Sequence, residues 1–190
     1  MKKTLFSLAL TIVFGATAMA NPIDKETKEV KTEESKVTWK AYKVAGSHTG
    51  TVALKSGALE FDGDKLVGGE FVVDMTTINT TDLEGDYKNK LDGHLSSGDF
   101  FSIEANPTSK LVFTKVESTG KNSYEVTGDL TIKGITKPIT FDVSIYGKKA
   151  TATLKVDRTN YDIKYSSGII GTAKDKLIYD EFDLVVDLQM

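Results

Sequence analysis

Apolar and polar residues alternate with a period of two along most of this chain, and that pattern restricts its fold more than any other feature. Tyr124, Val126, Leu130 and Ile132 share one face of a stretch whose other face is polar. A period of two places successive side chains on opposite faces of a β-strand. The same pattern recurs at residues 37–41, 71–75, 139–145, 150–156 and 178–188. The chain is therefore predicted to be all-β, with each strand apolar on one face and polar on the other.

Short turn signals separate these stretches, at residues 62–64, 68–69, 119–122, 133–134 and 147–148. With two further stretches, 51–61 and 110–116, the count is about eight strands. The connections are too short for crossover helices, so the strands are expected to be antiparallel. We favour an up-and-down barrel over a sandwich, because closure leaves no open edge and can enclose one small ligand. The same side chains could instead fill a packed core, and periodicity alone does not decide between the two.

One segment departs from this pattern. The residues from Thr81 to Glu84 fit a capping box, which is typical of a helix start. The apolar residues that follow recur at helical spacing: Leu83, Tyr87, Leu91, His94 and Leu95. We predict one short helix over residues 83–95 that docks on a barrel end or on one sheet, since a helix of this length is not stable alone.

The first twenty residues have the composition of a cleaved export signal. Lys2 and Lys3 precede an apolar run at residues 5–18, and small residues end at Ala20. The run is shorter than a spanning helix needs, and no later segment is long enough. Cleavage near Ala20 predicts a periplasmic or secreted protein. Residues 21–35 are charged and almost without large apolar side chains, so they are predicted to be a flexible lead-in to a folded domain at 36–190.

The composition excludes several kinds of chemistry. The sequence has no cysteine, two histidines and a net charge of −3, and Arg158 is its single arginine. Disulfides and thiolate catalysis are excluded, and the acidic balance disfavours nucleic-acid binding. No local histidine pair indicates a metal site, and no phosphate loop or dinucleotide fingerprint appears, so neither a metal nor a cofactor is predicted.

Five blocks of sequence carry a resemblance that patterning alone does not supply. They are 46–50 (GSHTG), 69–75 (GEFVVDM), 94–101 (HLSSGDFF), 128–134 (GDLTIKG) and 156–159 (VDRT). In this order they resemble the signature blocks of the YceI-like family, whose members bind polyisoprenoids. The resemblance implies a lipocalin-like antiparallel barrel, exported from the cytoplasm, with a long isoprenoid or similar lipid in its interior.

The parity of the strands predicts which side chains line that interior. The predicted apolar wall comprises Trp39, Phe71, Val73, Phe113, Val126, Phe141, Leu154 and Phe182. Contacts from the helix or the mouth of the barrel are predicted for Leu91, Phe100 and Phe101. A shift of one residue in register would turn any of these side chains outward.

Three polar side chains are candidates for the lipid head group. His48 and His94 could contact a head group, could serve as two ligands of a metal, or could be hydrogen-bonded structural histidines. Arg158 could meet a phosphate or a quinone oxygen, or could form a structural pair with Asp157 or with a carboxylate of a neighbouring strand, such as Asp74. The sequence favours the structural roles and leaves the others open.

The sequence therefore predicts a non-enzymatic carrier of a long-chain isoprenoid, polyprenyl or quinone-like, with no transmembrane segment in the mature chain. Two alternatives remain: a small-barrel enzyme that pairs a histidine with a carboxylate on a lipophilic substrate, and a ligand-free structural or stress-response module. An apolar slot supports the carrier, a small polar pocket supports the enzyme, and a filled interior supports the module. The oligomeric state is open, with a homodimer as one candidate.

Overall fold

The alternating stretches form the strands of one antiparallel sheet. The computed structural model describes residues 25–190, so the predicted export signal lies outside the described residues. Their nine strands and one α-helix are β1 (Lys25–Glu29), β2 (Lys36–Lys43), β3 (Gly46–Asp62), β4 (Lys65–Thr80), α1 (Gly85–Ser96), β5 (Thr108–Ser118), β6 (Ser123–Ile132), β7 (Ile135–Tyr146), β8 (Lys149–Asp157) and β9 (Ile178–Gln189). None of the helices within these residues has the length and apolar content needed to cross a membrane.

The sheet closes on itself. From β3 the order of hydrogen-bonded neighbours is β2, β9, β8, β7, β6, β5 and β4, and β4 pairs with β3 again. Every pairing is antiparallel. Closure satisfies the backbone groups that an open sheet would leave at its edges. The predicted barrel of about eight antiparallel strands with one short helix is therefore confirmed.

The ninth strand lies in the segment that was predicted to be a flexible lead-in, and for residues 25–35 that prediction is wrong. Strand β1 pairs with the second half of β3, from Ala58 to Asp62, beyond the part of β3 that pairs with β2. Val30 is buried, and its N–H donates to the Gly57 carbonyl at 2.8 Å. The segment is ordered because strand pairing uses backbone groups, which a polar sequence supplies as well as an apolar one.

The helix begins two residues later than predicted and without the capping box. Glu84 occupies the N-cap position, with no side-chain hydrogen bond to the helix. The helix is instead fixed to the barrel by Asp92, whose carboxylate accepts the backbone N–H of Thr80 at 2.9 Å and is bonded by Lys88. Leu95 is buried, whereas Tyr87 is 75% exposed and does not belong to the packed face.

The two ends of the barrel are closed differently. At one end, called here the turn end, three tight turns join β3 to β4, β5 to β6 and β7 to β8. Its interior is filled by buried side chains, including Leu59, Phe61, Leu66 and Tyr124. At the opposite end, called here the helix end, lie α1 and the long connection between β8 and β9, residues 158–177. The helix end is where space remains inside the barrel.

One predicted turn lies inside a strand. Gly68 and Gly69 fall within β4, opposite Glu60 and Leu59 of β3. A Cβ atom on Gly69 would lie 3.0 Å from the Phe113 ring and 3.1 Å from Leu59. These glycines therefore make room for neighbouring side chains, which is the other common reason for glycine in a strand.

Candidate functional site

The barrel interior contains two adjoining cavities. The larger, about 150 Å³, lies toward the helix end between β2, β4, β9 and α1. The smaller, about 80 Å³, lies farther along the barrel. Five side chains line both cavities and so lie between them: Val37, Val73, Ser109, Leu130 and Leu184. Because most of the lining side chains are hydrocarbon, the interior suits an apolar guest.

Most of the predicted wall surrounds these cavities. Trp39 and Phe182 line the larger cavity, Val73 lines both, and the smaller is lined by Phe71, Phe113, Phe141 and Leu154. Val126 is completely buried but borders neither cavity. The predicted mouth residues Leu91, Phe100 and Phe101 and the predicted polar residues His48, His94 and Arg158 all border the larger cavity. Except for Arg158, whose hydrogen bonds are described below, their contact with a ligand stays a prediction.

Four of the five residues that border both cavities were not among the wall residues predicted from the sequence. Val37, Leu130 and Leu184 lie at the inward-facing positions of their strands, so the alternating pattern could have predicted them as wall residues. Ser109 precedes the first strand residue that the pattern identified, and no apolar signal marks it. It is buried, so its hydroxyl brings one polar group to the junction of the two cavities.

Aromatic rings close the helix end over the larger cavity. The ring centroid of His94 lies 5.2 Å from that of Phe100, and the centroids of Phe100 and Phe101 are 5.5 Å apart. The ring of Phe101 in turn packs edge-on against that of Phe182 of β9, with 6.5 Å between the centroids. The Phe101 N–H donates to the Leu95 carbonyl at 3.1 Å, so the chain that follows α1 is folded back onto the helix. Edge-to-face ring contacts of this kind hold the cover in place.

The indole of Trp39 lies against a glycine of the neighbouring strand. Gly50 is paired with Trp39 in the β2–β3 ladder. A Cβ atom on Gly50 would lie only 2.3 Å from the Trp39 ring and 2.1 Å from the carbonyl oxygen of Asn79. Glycine is therefore required at position 50 for the indole to occupy its place in the cavity wall.

Two buried polar atoms of the cavity wall have no hydrogen-bond partner among residues 25–190. They are Nε1 of Trp39 and Nε2 of His94. Buried polar groups are normally paired, and an unpaired one destabilises by about 1–3 kcal/mol. These atoms mark the helix end as the polar part of an otherwise apolar cavity.

Arg158 holds the connection between β8 and β9. Its guanidinium donates to the backbone carbonyls of Ile163, Tyr165, Ile178 and Tyr179 at 2.8–3.1 Å. Its remaining N–H faces the carboxylate of Asp180 on the neighbouring β9 at 3.4 Å. The predicted pair with a carboxylate of a neighbouring strand is therefore present, although the partner is neither Asp157 nor Asp74. Burial lowers the pKa of Arg158, and the nearby carboxylates oppose that shift. All five N–H groups are used within the protein, which leaves none for a ligand head group.

His48 forms a pair with a carboxylate at the edge of the cavity. Its Nδ1 lies 3.0 Å from Oδ2 of Asp82, and Oδ1 of Asp82 accepts the Thr49 N–H at 3.1 Å. Partial burial raises the pKa of Asp82, but these two hydrogen bonds outweigh it and hold the pKa below its ordinary value. The pair joins β3 to the segment before α1. No group of three or more potential metal-ligating side chains occurs within residues 25–190.

Fold and site together define the class of this protein: a closed antiparallel barrel with an internal apolar cavity covered at one end by a helix and aromatic rings. The model of the YceI-like domain matches residues 28–190. The chain belongs to the YceI-like family, as its sequence blocks predicted. The UPF0312 protein of Pseudomonas putida strain W619 is 34% identical over 158 residues, which cover 78% of this chain and 75% of that protein. That of Vibrio campbellii is 33% identical over 156 residues, covering 77% and 76%.

Solved structures share the fold at lower identity. BcnA of Burkholderia cenocepacia superposes with a TM-score of 0.67 at 23% identity, over 84% of this chain and 98% of that one. The YCEI protein of Campylobacter jejuni superposes with a TM-score of 0.56 at 18% identity, over 100% of this chain and 98% of that one. At these identities the likeness concerns the barrel and not the ligand.

Proposed function

We propose that this chain is a non-enzymatic carrier that holds a long-chain isoprenoid or a similar lipid, polyprenyl or quinone-like, inside the barrel. The observation that carries the proposal is the pair of adjoining apolar cavities with shared walls. A ligand-free structural module would have a filled interior, which this barrel has only at its turn end. The protein acts in the periplasm or outside the cell after cleavage near Ala20, and the composition of residues 1–20 supports this location.

The cavity volumes limit how much lipid the barrel holds as it stands. A cavity of about 150 Å³ lined by aliphatic and aromatic groups accommodates one benzene-sized molecule. The larger cavity has this volume and the smaller about half of it. A chain of more than roughly two isoprene units therefore requires the shared side chains, such as Val73 and Leu184, to move aside. Each methylene that enters contributes about 0.8 kcal/mol, so a long chain can offset that rearrangement.

The polar end of the lipid lies at the helix end in this proposal. The indole N–H of Trp39 can only donate, so its missing partner is an acceptor such as an oxygen. Nε2 of His94 can complete the contact as donor or acceptor, depending on its tautomer. Arg158 takes no part, because its N–H groups are all bonded to the protein. The predicted head-group role is thus kept for His94 and dropped for Arg158.

Organic extraction of the purified protein followed by mass spectrometry tests the proposal. We expect a long-chain apolar species in near-stoichiometric amount, and its loss in Phe141→Asp and Phe182→Asp, because a carboxylate in the cavity wall disfavours an apolar guest. Thr140→Asp and Val185→Asp are the matched controls, since both side chains are exposed on the same two strands. Circular dichroism verifies that each variant is folded. Unchanged lipid content in a folded Phe182→Asp protein would contradict the proposal.

The enzyme alternative has one observation in its favour, the His48–Asp82 pair at the cavity edge. A histidine bonded to a carboxylate can act as a general base. The same pair also connects β3 to the segment before α1, which explains it without catalysis. We expect His48→Gln to leave the extracted lipid chemically unchanged. Conversion of the lipid by wild-type protein on prolonged incubation, and its loss in His48→Gln, would favour the enzyme instead.

The homodimer remains a prediction. Light scattering coupled to size-exclusion chromatography measures the molar mass directly, and comparing lipid-loaded with extracted protein tells whether the ligand alters it. A molar mass equal to that of one chain in both states would contradict the dimer.

A further inference from the structure

Exposed apolar side chains gather around the helix end of the barrel. Val44, Tyr165, Ile169, Ile170 and Tyr179 are 45–61% exposed, and they make up five of the nine large hydrophobic residues exposed within residues 25–190. We call these five residues the rim patch. Isolated exposed apolar side chains are ordinary, but a cluster of them indicates a surface that binds something.

Backbone hydrogen bonds hold the rim patch together. The Val44 N–H donates to the Leu177 carbonyl at 3.2 Å, which ties the β2–β3 turn to the start of β9. Arg158 binds the carbonyls of both Tyr165 and Tyr179. The turn that carries the two isoleucines is capped by Ser167, whose hydroxyl accepts the Ile169 N–H at 3.2 Å. A patch fixed in this way loses less conformational freedom on binding than a flexible loop would.

The segment that carries four of the five rim-patch residues has a net charge opposite in sign to that of the whole chain. The net charge is −3 overall, but residues 163–179 contain three lysines and a single acidic residue, Asp175. Lys174 and Lys176 are exposed, and neither forms a salt bridge with a carboxylate of residues 25–190. Lysines beside exposed aliphatic and tyrosine side chains are typical of surfaces that lie in the interface of an anionic membrane.

The patch is continuous with the mouth of the larger cavity. Tyr179 belongs to the patch and also lines that cavity. Lys43 and Ile178, which are next to patch residues in the sequence, line the cavity as well. A surface that covered the patch would therefore also cover the way into the cavity.

We propose that the rim patch docks the helix end of the barrel onto a lipid bilayer with anionic head groups. Ile169 and Ile170 enter the boundary between head groups and acyl chains, and Lys174 and Lys176 contact the head groups. This inference extends the proposed function and rests on it for its purpose, since a docked mouth lets an apolar ligand pass between bilayer and barrel without crossing water.

Vesicle flotation of the purified full chain tests the docking. The vesicles are phosphatidylcholine alone, or phosphatidylcholine mixed with phosphatidylglycerol. We expect binding to the mixed vesicles and a fall of about tenfold in the partition coefficient for the double variant Ile169→Ser/Ile170→Ser. Val67→Ser/Val185→Ser removes two exposed valines outside the patch and is expected to bind as the wild type does.

The lysines supply a second measurement. Lys174→Gln/Lys176→Gln is expected to lose the preference for mixed vesicles and most of the salt dependence of binding. Wild-type protein that floats with neither kind of vesicle would overturn the docking, as would a control variant that loses as much binding as the isoleucine variant. A wild-type dimer that becomes monomeric in Ile169→Ser/Ile170→Ser, without vesicle binding, would instead assign the patch to a second copy of the chain and would also overturn it.

Lipid extraction from the same preparations separates this inference from the proposed function. Ile169→Ser/Ile170→Ser is expected to keep its lipid, because neither residue lines a cavity. Protein that contains lipid but does not bind vesicles supports the carrier and overturns the docking. Protein that binds vesicles but yields no lipid supports the docking and contradicts the carrier.

Discussion

A substitution that fills the cavity from its wall tests whether the cavity is a binding site or only a defect in the packing. Val73 borders both cavities, so Val73→Phe places a ring at their junction. At about 24 cal/mol per Å³, an empty cavity of 150 Å³ destabilises the ligand-free barrel by about 3.6 kcal/mol. A phenyl ring that occupies roughly a third of that volume recovers about 1 kcal/mol, against which overpacking subtracts about 1–3 kcal/mol. The free energy of unfolding should therefore fall by no more than about 2 kcal/mol, whereas lipid binding is lost.

The assay compares extracted and lipid-loaded protein. Unfolding in guanidinium chloride followed by refolding removes the ligand, and urea titration then gives the stability of the empty barrel. Adding lipid back should raise the unfolding midpoint of the wild type, because a ligand that binds only the folded state stabilises it. Val73→Phe should show no such rise.

Val73→Ala is the matched control, because it enlarges the same space. It should cost about 2 kcal/mol in the empty protein and still bind lipid. Lipid that co-purifies with Val73→Phe in the wild-type ratio would refute a binding site at this junction, as would a Val73→Ala protein that loses the lipid while Val73→Phe keeps it.

Three further predictions concern the residues that support the site. Arg158→Met leaves four backbone carbonyls without their donor and should lower the free energy of unfolding by about 3–5 kcal/mol in urea titration, and a loss below about 1 kcal/mol would contradict its structural role. Gly50→Ala should destabilise the protein by about 1–3 kcal/mol and alter the fluorescence of Trp39, because the added Cβ would lie 2.3 Å from the indole. Gly93→Ala is the control: it lies on the exposed side of α1 with nothing within 4 Å of the added Cβ, and it should stabilise by about 0.5–1 kcal/mol. Burial raises the pKa of Asp92, but its hydrogen bonds from α1 and β4 outweigh this and hold the pKa below the ordinary 3.8. The contribution of the ionised Asp92 carboxylate to stability is therefore complete above that pH and disappears as the pH falls through the lower folded-state pKa. The difference in unfolding free energy between the wild type and Asp92→Asn should then shrink in acid. A difference that does not change with pH would contradict this role of Asp92.

The parity of the strands was predictable because it follows from local geometry. A strand turns successive side chains to opposite faces, so Phe71, Phe141 and Phe182 could be assigned to the interior without knowledge of the fold. Strand β1 could not be predicted in the same way. It pairs through its backbone with the extension of β3, and backbone pairing leaves no trace in the pattern of side chains.

Long-range contacts account for the other differences. Thr81 and Glu84 have the spacing of a capping box, yet Asp82 between them is bonded to His48, 34 residues earlier in the chain. The helix then begins beyond these residues. Arg158 has the charged neighbour Asp157 in sequence, but the closed barrel brings it four carbonyls from residues 163–179. Propensity rules describe neighbours in sequence, and here neighbours in space prevail.

Whether the interior is hollow depends on the width of the barrel, and no single strand determines that width. Val126 and Val73 have the same side chain and both were predicted to face inward, yet Val126 is fully packed and Val73 borders both cavities. Val73 lies near the end of the short β4–β5 pairing, after which β4 continues past β5 toward α1. Beyond that pairing the wall is completed by α1 and the aromatic residues after it, which leave a gap that a paired strand would fill. The larger cavity thus arises where the pairing of β4 with β5 stops, and its cover, formed by α1 and the aromatic residues after it, is not part of the sheet.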